Sequence, residues 1–142
     1  MHNFILSSRQ DLKNFFKDQR YKKIFILCGK KSFIKSGAKK LLDKYLINKE
    51  TKFYYKSSPY PEIIELKKII YSLKNFSPDL IIAIGGGSVI DYAKIANFLG
   101  NVNNIDKKII NCEYSNKNKI SHLIAIPTTA GSGAEVTSSA VI

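Results

Sequence analysis

The stretch Ile81-Ile82-Ala83-Ile84-Gly85-Gly86-Gly87-Ser88-Val89-Ile90-Asp91-Tyr92-Ala93-Lys94 is an apolar run that turns through three glycines directly into a helical pattern. Such a turn suits an anion. Glycines let the backbone approach a phosphate with no Cβ in the way, and the open N–H groups and dipole of a helix start favour negative charge. The spacing is not GxGxxG, because Ile90 stands where the third glycine would be. Gly29-Lys30-Lys31-Ser32 is not a P-loop either, since it lacks that motif's upstream glycine. Spacing alone therefore leaves the type of nucleotide open. A second stretch, Thr128-Thr129-Ala130-Gly131-Ser132-Gly133, opens directly after an apolar run that ends at Pro127.

These residues need strands and helices to hold them. Asp11 to Phe16 read as a short helix behind Ser7 or Ser8 as N-cap, and Lys23 to Cys28 as an Ile- and Phe-rich strand. Gly29 ends that strand, and Ile34, Ala38, Leu41, Leu42 and Tyr45 share one face of the helical pattern that follows. The unit recurs with Lys52 to Tyr55 as a short strand and Pro59 and Pro61 in the turn. Pro61 stands where a first-turn proline is tolerated, and Ile63, Leu66, Ile70 and Leu73 form one helical stripe. After the turn Ser77-Pro78-Asp79, Leu80 to Ile84 is continuously apolar, the pattern of a central parallel strand covered on both faces.

From Gly87 a helix runs to about Leu99, with Val89, Ala93, Ala96 and Leu99 inward and Gly100-Asn101 as its stop. Asn101 to Lys119, rich in Asn, Lys and Asp, reads as a flexible loop holding no more than a short strand or turn. His122 to Ile126 reads as another buried strand. The alternation predicts right-handed crossovers and a single α/β domain over residues 1–142: a doubly wound, mostly parallel Rossmann-like sheet with helices on both faces. Ligands of such sheets lie beyond the carboxyl ends of the strands, where the Gly85 to Ser88 turn falls.

Composition narrows the function classes. The chain has 142 residues, 44% hydrophobic and 24% charged, a balance typical of an ordinary globular domain. Its apolar runs fall far short of the ~20 residues that span a bilayer. Met1 to Leu6 carries neither a basic segment nor an apolar core of the secretory type, and Cys28 and Cys112 show no ligand spacing and are too few for a disulfide framework. A cytoplasmic location is the expectation. The formal charge of +12 comes almost entirely from lysines spread along the chain, with only Arg9 and Arg20 as forked donors, so nucleic-acid binding is not expected as a main function.

GGGSVIDYAK, followed about forty residues later by PTTAGSGAEVT, resembles the iron-containing alcohol dehydrogenase family, relatives of glycerol dehydrogenase and dehydroquinate synthase. The resemblance covers the whole chain, because that family begins with a nucleotide-binding α/β domain of this arrangement. It implies that Gly86, Gly87 and Ser88 contact a pyrophosphate and that Asp91 lies on the first helical turn near the cofactor. Thr128, Thr129 and Thr137 match the family's threonines around the nicotinamide half. The residue types agree, since hydroxyls and glycines hydrogen-bond ribose, phosphate or carboxamide while admitting a flat ring. Asp91 also admits a purely structural role at a helix start, as does Glu135 as a hydrogen-bond acceptor.

Many members of the family carry an acidic residue after the first strand, which accepts hydrogen bonds from the adenosine ribose and repels a 2′-phosphate. Here Gly29, Lys30, Lys31 and Ser32 occupy that turn, and the ammonium of Lys30 with the hydroxyl of Ser32 favours NADP over NAD. The family's adenine-side Asn-Pro appears as Ser58-Pro59. The resemblance also implies Fe2+ or Zn2+ held by an aspartate and histidines of a C-terminal helical domain, which this chain stops short of. His2 and His122 are not expected to replace that set, and no residue here is assigned to metal binding or to catalysis.

The implied partners are a nicotinamide dinucleotide and, in a complete enzyme, a small alcohol or aldehyde. No membrane is among them, and homo-oligomer formation is left open. For the chain alone the expectation is cofactor binding with little or no turnover. The alternative is a standalone nucleotide-binding or interaction module, truncated or split, for which the apolar end Ser139-Ala140-Val141-Ile142 gives weak support.

Overall fold

The computed structural model describes residues 9–17, 20–100, 103–111, 119–137 and 140. His2, Ser7, Ser8 and Cys112 lie outside the described residues, as does the Ser139–Ile142 end apart from Ala140. The elements in chain order are α1 (Arg9–Lys17), β1 (Lys23–Gly29), α2 (Lys30–Lys35), α3 (Ala38–Leu46), β2 (Glu50–Lys56), α4 (Ile63–Phe76), β3 (Leu80–Gly85), α5 (Gly87–Leu99), α6 (Ile105–Ile110) and β4 (His122–Pro127).

The four strands are parallel and ordered β2-β1-β3-β4. The chain moves outward from β1 to β2, returns across the sheet to β3, and then continues to β4. β1 and β3 therefore flank the point where the winding reverses, the position at which open α/β sheets leave a crevice. Alternation along the strands divides the core in two. Phe25, Leu27, Ile81 and Ala83 meet Leu66, Ile69, Ile70 and Leu73 of α4 and the inner face of α5. Ile24, Ile26, Cys28, Leu80, Ile82 and Ile84 meet Leu12 and Phe16 of α1, Phe33 of α2 and Ala38 and Leu42 of α3. Helices thus cover both faces, as the doubly wound reading requires.

Asp79 fastens the opposite end of the sheet. Its carboxylate accepts from the backbone N–H of Lys22 at 2.7 Å and of Lys23 at 3.1 Å. Its own N–H donates to Lys23 O at 3.0 Å, and its carbonyl accepts from His122 N–H at 3.3 Å. One turn residue therefore aligns the starts of β1, β3 and β4.

Several local expectations are corrected. The helix expected after Gly29 is two helices, broken at Ser36-Gly37, where Gly37 takes a φ of +76° that side chains disfavour. The break turns Ile34 out to 62% exposure, and Phe33 takes the core position instead. Ile63 is likewise exposed, because α4 turns Leu66, Ile69, Ile70 and Leu73 inward, and Pro61 precedes the helix, whose N-cap is Glu62. The 101–119 segment contains α6, with Ile109 buried and Asp106 paired to Lys67 of α4.

β4 is half-buried rather than buried, because it has a neighbour on one side only in the sheet formed by the described residues. α5 buries Tyr92, Lys94, Ile95 and Asn97 in addition to the expected stripe. Gly100 follows it in ordinary right-handed geometry, and a Cβ there would lie 1.8 Å from Ile120 Cδ1. Close packing, rather than a left-handed stop, accounts for that glycine. No helix among the described residues is long and apolar enough to cross a membrane.

Cys28 is fully buried and unpaired in β1, and burial pushes its thiol up to about 12. Thiolate is the reactive form, so Cys28 is expected to resist alkylation by iodoacetamide at pH 8 until the protein unfolds. Mass-spectrometric readout by site separates it from Cys112. Comparable labelling of Cys28 in folded and urea-unfolded protein would contradict its placement. The unfolded chain loses this proton near pH 9 while the folded chain keeps it to about 12, so stability declines as pH rises through that interval.

Candidate cofactor-binding site

The carboxyl ends of the strands form a row of residues that lie side by side in register. Lys56 is opposite Gly29, Cys28 opposite Ile84, and Gly85 opposite Pro127. Each strand end leads into a turn carrying residues singled out from the sequence, so parallel pairing brings together segments far apart in the chain.

The glycine turn enters α5 through Gly86, an N-cap with extended backbone and no capping side chain. Gly86 O accepts from Val89 N–H at 3.1 Å and Ile90 N–H at 3.3 Å. The first N–H groups of a helix have no partner within it, so those of Gly87 and Ser88 open at the strand end with the positive pole of the helix behind them. Close approach explains the glycines. A Cβ on Gly85 would fall 2.7 Å from Val89 Cγ2, one on Gly86 3.2 Å from Thr129 Oγ1, and one on Gly87 3.3 Å from Ser132 Cβ.

The loop after β4 folds against this turn. Thr128 N–H donates to Gly85 O at 2.9 Å, and Gly131 and Gly133 adopt φ of +92° and +61°, so the loop bends back with conformations open to glycine. Thr129 and Ser132 are exposed at its surface, and Ala134 packs into the core beneath. Thr128 Oγ1 is buried without a hydrogen-bond partner. A buried hydroxyl normally finds a partner, and this one follows directly on the backbone bond from Thr128 to Gly85.

Asp91 and Thr137 meet in a different way. Asp91 lies beyond the first turn of α5, which holds no acidic residue, so the expected first-turn position is corrected. Lys94 Nζ, on the same helix, donates to Asp91 Oδ1 at 3.1 Å and to Thr137 Oγ1 at 3.2 Å. Lys94 is only 8% exposed, and it ties the distal end of the threonine loop to α5. Glu135 is exposed. Lys30 and Ser32 occupy the first turn of α2 beside Gly29, at the neighbouring strand end. Lys30 and Lys31 are exposed, and Ser32 Oγ lies 3.3 Å from where a Cβ on Gly29 would be.

Sequence reasoning missed Lys94, Asn97, Lys56 and Glu65. A usable signal existed for three of them, since Lys94, Asn97 and Glu65 interrupt otherwise apolar helical faces. Among the described residues no three His, Cys, Asp or Glu side chains gather as metal ligands. His122 sits at the start of β4 with its ring against Tyr21, at the opposite end of the sheet from the glycine turn. The glycine turn, the threonine loop and the orphaned Thr128 hydroxyl fit a dinucleotide.

The chain is similar to known proteins in sequence and in fold. The chain is 38% identical over 103 residues to aldehyde-alcohol dehydrogenase 2 of Entamoeba histolytica, covering 66% of this chain and 12% of that protein. It is 30% identical over 121 residues to 1-propanol dehydrogenase PduQ of Citrobacter freundii, covering 85% of this chain and 29% of that one. Among solved structures, the fold matches sulfoacetaldehyde reductase from Bifidobacterium kashiwanohense in complex with NAD+, with a TM-score of 0.75 at 24% identity. It matches NADH-dependent butanol dehydrogenase A from Thermotoga maritima with a TM-score of 0.74 at 18% identity. The matches cover 95% and 94% of this chain and 36% of each of those two. This chain thus spans about a third or less of the relatives it matches. The sequence profile described as iron-containing alcohol dehydrogenase matches residues 4–142, and the chain belongs to that family.

Proposed function

We propose that residues 1–142 form the dinucleotide-binding domain of a metal-dependent alcohol dehydrogenase, with Gly86, Gly87 and Ser88 holding the pyrophosphate of NAD(H) or NADP(H). The observation that carries this reading is the convergence of two strand-end loops, in which Thr128 N–H bonds to Gly85 O and Thr129 and Ser132 stand over Gly86 and Gly87. Backbone N–H groups at the start of α5 bind the diphosphate charge, and the buried Thr128 hydroxyl and exposed Thr129 hydroxyl orient the nicotinamide half. Lys94 keeps Thr137 and Asp91 in place, so the threonine loop is anchored at both ends.

The bound nicotinamide supplies the hydride chemistry, by which the complete enzyme interconverts a small alcohol with its aldehyde or ketone. The protein's part is to place the ring and exclude disordered approaches. The adenosine half extends toward β1 and β2, past Gly29. Lys30 and Lys31 raise the positive potential there, and no acidic residue occupies the first turn of α2, which supports a preference for a 2′-phosphate.

Calorimetric titration of NADPH and NADH into the purified chain tests both parts. Binding of at least one dinucleotide below millimolar concentration is expected, with NADPH tighter by about threefold to tenfold and the advantage lost in Lys30→Glu. No binding of either at millimolar concentration would remove the cofactor reading. Tighter binding of NADH would reverse the preference alone.

A further inference from the structure

The densest buried charge among the described residues lies at the end of β2, outside the glycine turn. Lys56, the last residue of β2, and Glu65 of α4 each have side chains only 5% exposed, with Nζ 3.9 Å from Oε2. Lys56 Nζ also donates to the carbonyl of Ser58 and, at 3.2 Å, to that of Tyr60, and lies 5.4 Å from the centre of the Tyr92 ring. Glu65 Oε1 accepts from the N–H of Ser57 at 2.6 Å and from its hydroxyl at 2.9 Å. The Tyr92 hydroxyl accepts from Glu62 N–H and donates to Glu62 O at 2.9 Å.

Segment 57–62 is thereby tied at Ser57, Ser58, Tyr60 and Glu62, although Pro59, Tyr60 and Pro61 are themselves exposed. The ties come from three elements, β2, α4 and α5. A buried ion pair is a poor stabiliser, because desolvating two charges costs about what their attraction returns, so its effect is on conformation more than on stability. Lys56 pairs in register with Gly29, which places the tied segment beside the strand end that the adenosine half must pass. The Lys56 ammonium already faces a carboxylate, two carbonyls and a ring, so it is not available to a 2′-phosphate.

We propose that Lys56 and Glu65 are positioning residues, a buried brace that holds segment 57–62 as the side wall of the adenosine end of the cleft. The inference rests on the dinucleotide reading. Preorganising such a wall removes the ordering cost that a mobile loop would impose on each binding event.

The decisive variant is the double substitution Lys56→Met with Glu65→Gln, which removes both charges and strands neither. Calorimetry with NADH, AMP and nicotinamide mononucleotide separates the two halves of the cleft. The double variant is expected to keep a thermal midpoint close to that of the parent and bind AMP and NADH about tenfold more weakly, with nicotinamide mononucleotide unaffected. Amide exchange across residues 57–62 is expected to quicken. Lys56→Met alone leaves a buried carboxylate without its cation and is expected to lose stability that Glu65→Gln then restores. Glu65→Gln alone keeps the acceptor for Ser57 and is expected to weaken AMP by about threefold, so it serves if the double variant does not fold. Unchanged AMP and NADH affinity in either folded variant would overturn the brace while leaving the cofactor reading intact. A parent chain that binds neither ligand would overturn both.

Discussion

Replacing Gly87 with valine is expected to weaken NADH and NADPH by about 100-fold or more while the domain remains folded. Two charge-assisted bonds from backbone N–H groups, each worth about 1.5 to 3 kcal/mol, account for a loss of that size. The atoms nearest a Cβ at Gly87 are Ser132 Cβ at 3.3 Å, Ser132 Oγ at 3.6 Å and Ala134 Cβ at 3.9 Å. Ser132 is on the exposed loop and can shift by the few tenths of an ångström that the new side chain requires. Gly85→Val is a poorer probe, because its Cβ alone would lie 2.7 Å from Val89 Cγ2 and 2.9 Å from Val89 Cβ in the strand-to-helix packing. Calorimetric titration with a parallel thermal melt checks the expectation. Parental affinity in folded Gly87→Val would mean that no phosphate is held against this turn.

The second large effect concerns stability. Asn97→Leu is expected to cost about 3 kcal/mol, or about 10 °C in thermal midpoint, by leaving buried or half-buried backbone groups without partners. Asn97 is 2% exposed on α5. Its Nδ2 donates to Ser121 O at 2.9 Å, and its Oδ1 accepts from the N–H groups of Ile120 and Ser121, both at 3.0 Å. Ile120 N–H also reaches Asn97 O at 3.1 Å and survives the change, so the cost falls on both backbone groups of Ser121. Asn97→Asp retains the acceptor and loses the donor, and should fall between parent and leucine variant. Urea denaturation measures all three. A loss below about 1 kcal/mol would show that the entry to β4 is held by other contacts. Because Thr128 directly follows the far end of β4, loosening the start of the strand is also expected to weaken the dinucleotide by a few-fold.

Asn97 illustrates what the sequence conceals. Its position on a mostly apolar helix is visible, but the backbone it satisfies lies 23 and 24 residues away, and pattern alone does not say which strand start will arrive there. Lys94 is similar, with a partner in Thr137 that is 43 residues distant. By contrast, the buried strands β1 and β3 and the helix after Gly87 were legible, because continuous apolar runs and three- and four-residue spacing are local properties. The errors at Ile34 and Ile63 differ in cause. Ile34 extends the periodicity of α3 back across the break at Gly37, whereas Ile63 is in phase with the buried stripe of α4 but stands at the first position of that helix, where it is exposed.

By itself the sequence determined the alternation of strand and helix and the place of the glycine turn between them, since both follow from short-range pattern and the absence of Cβ atoms. Only the tertiary structure decided that β1 stands beside β3, that Thr129 and Ser132 cover Gly86 and Gly87, and that Lys56 meets Glu65. Those contacts depend on the order in which parallel strands pair. That order is selected by burying both faces of the sheet at once, a property of the whole chain that no local window contains.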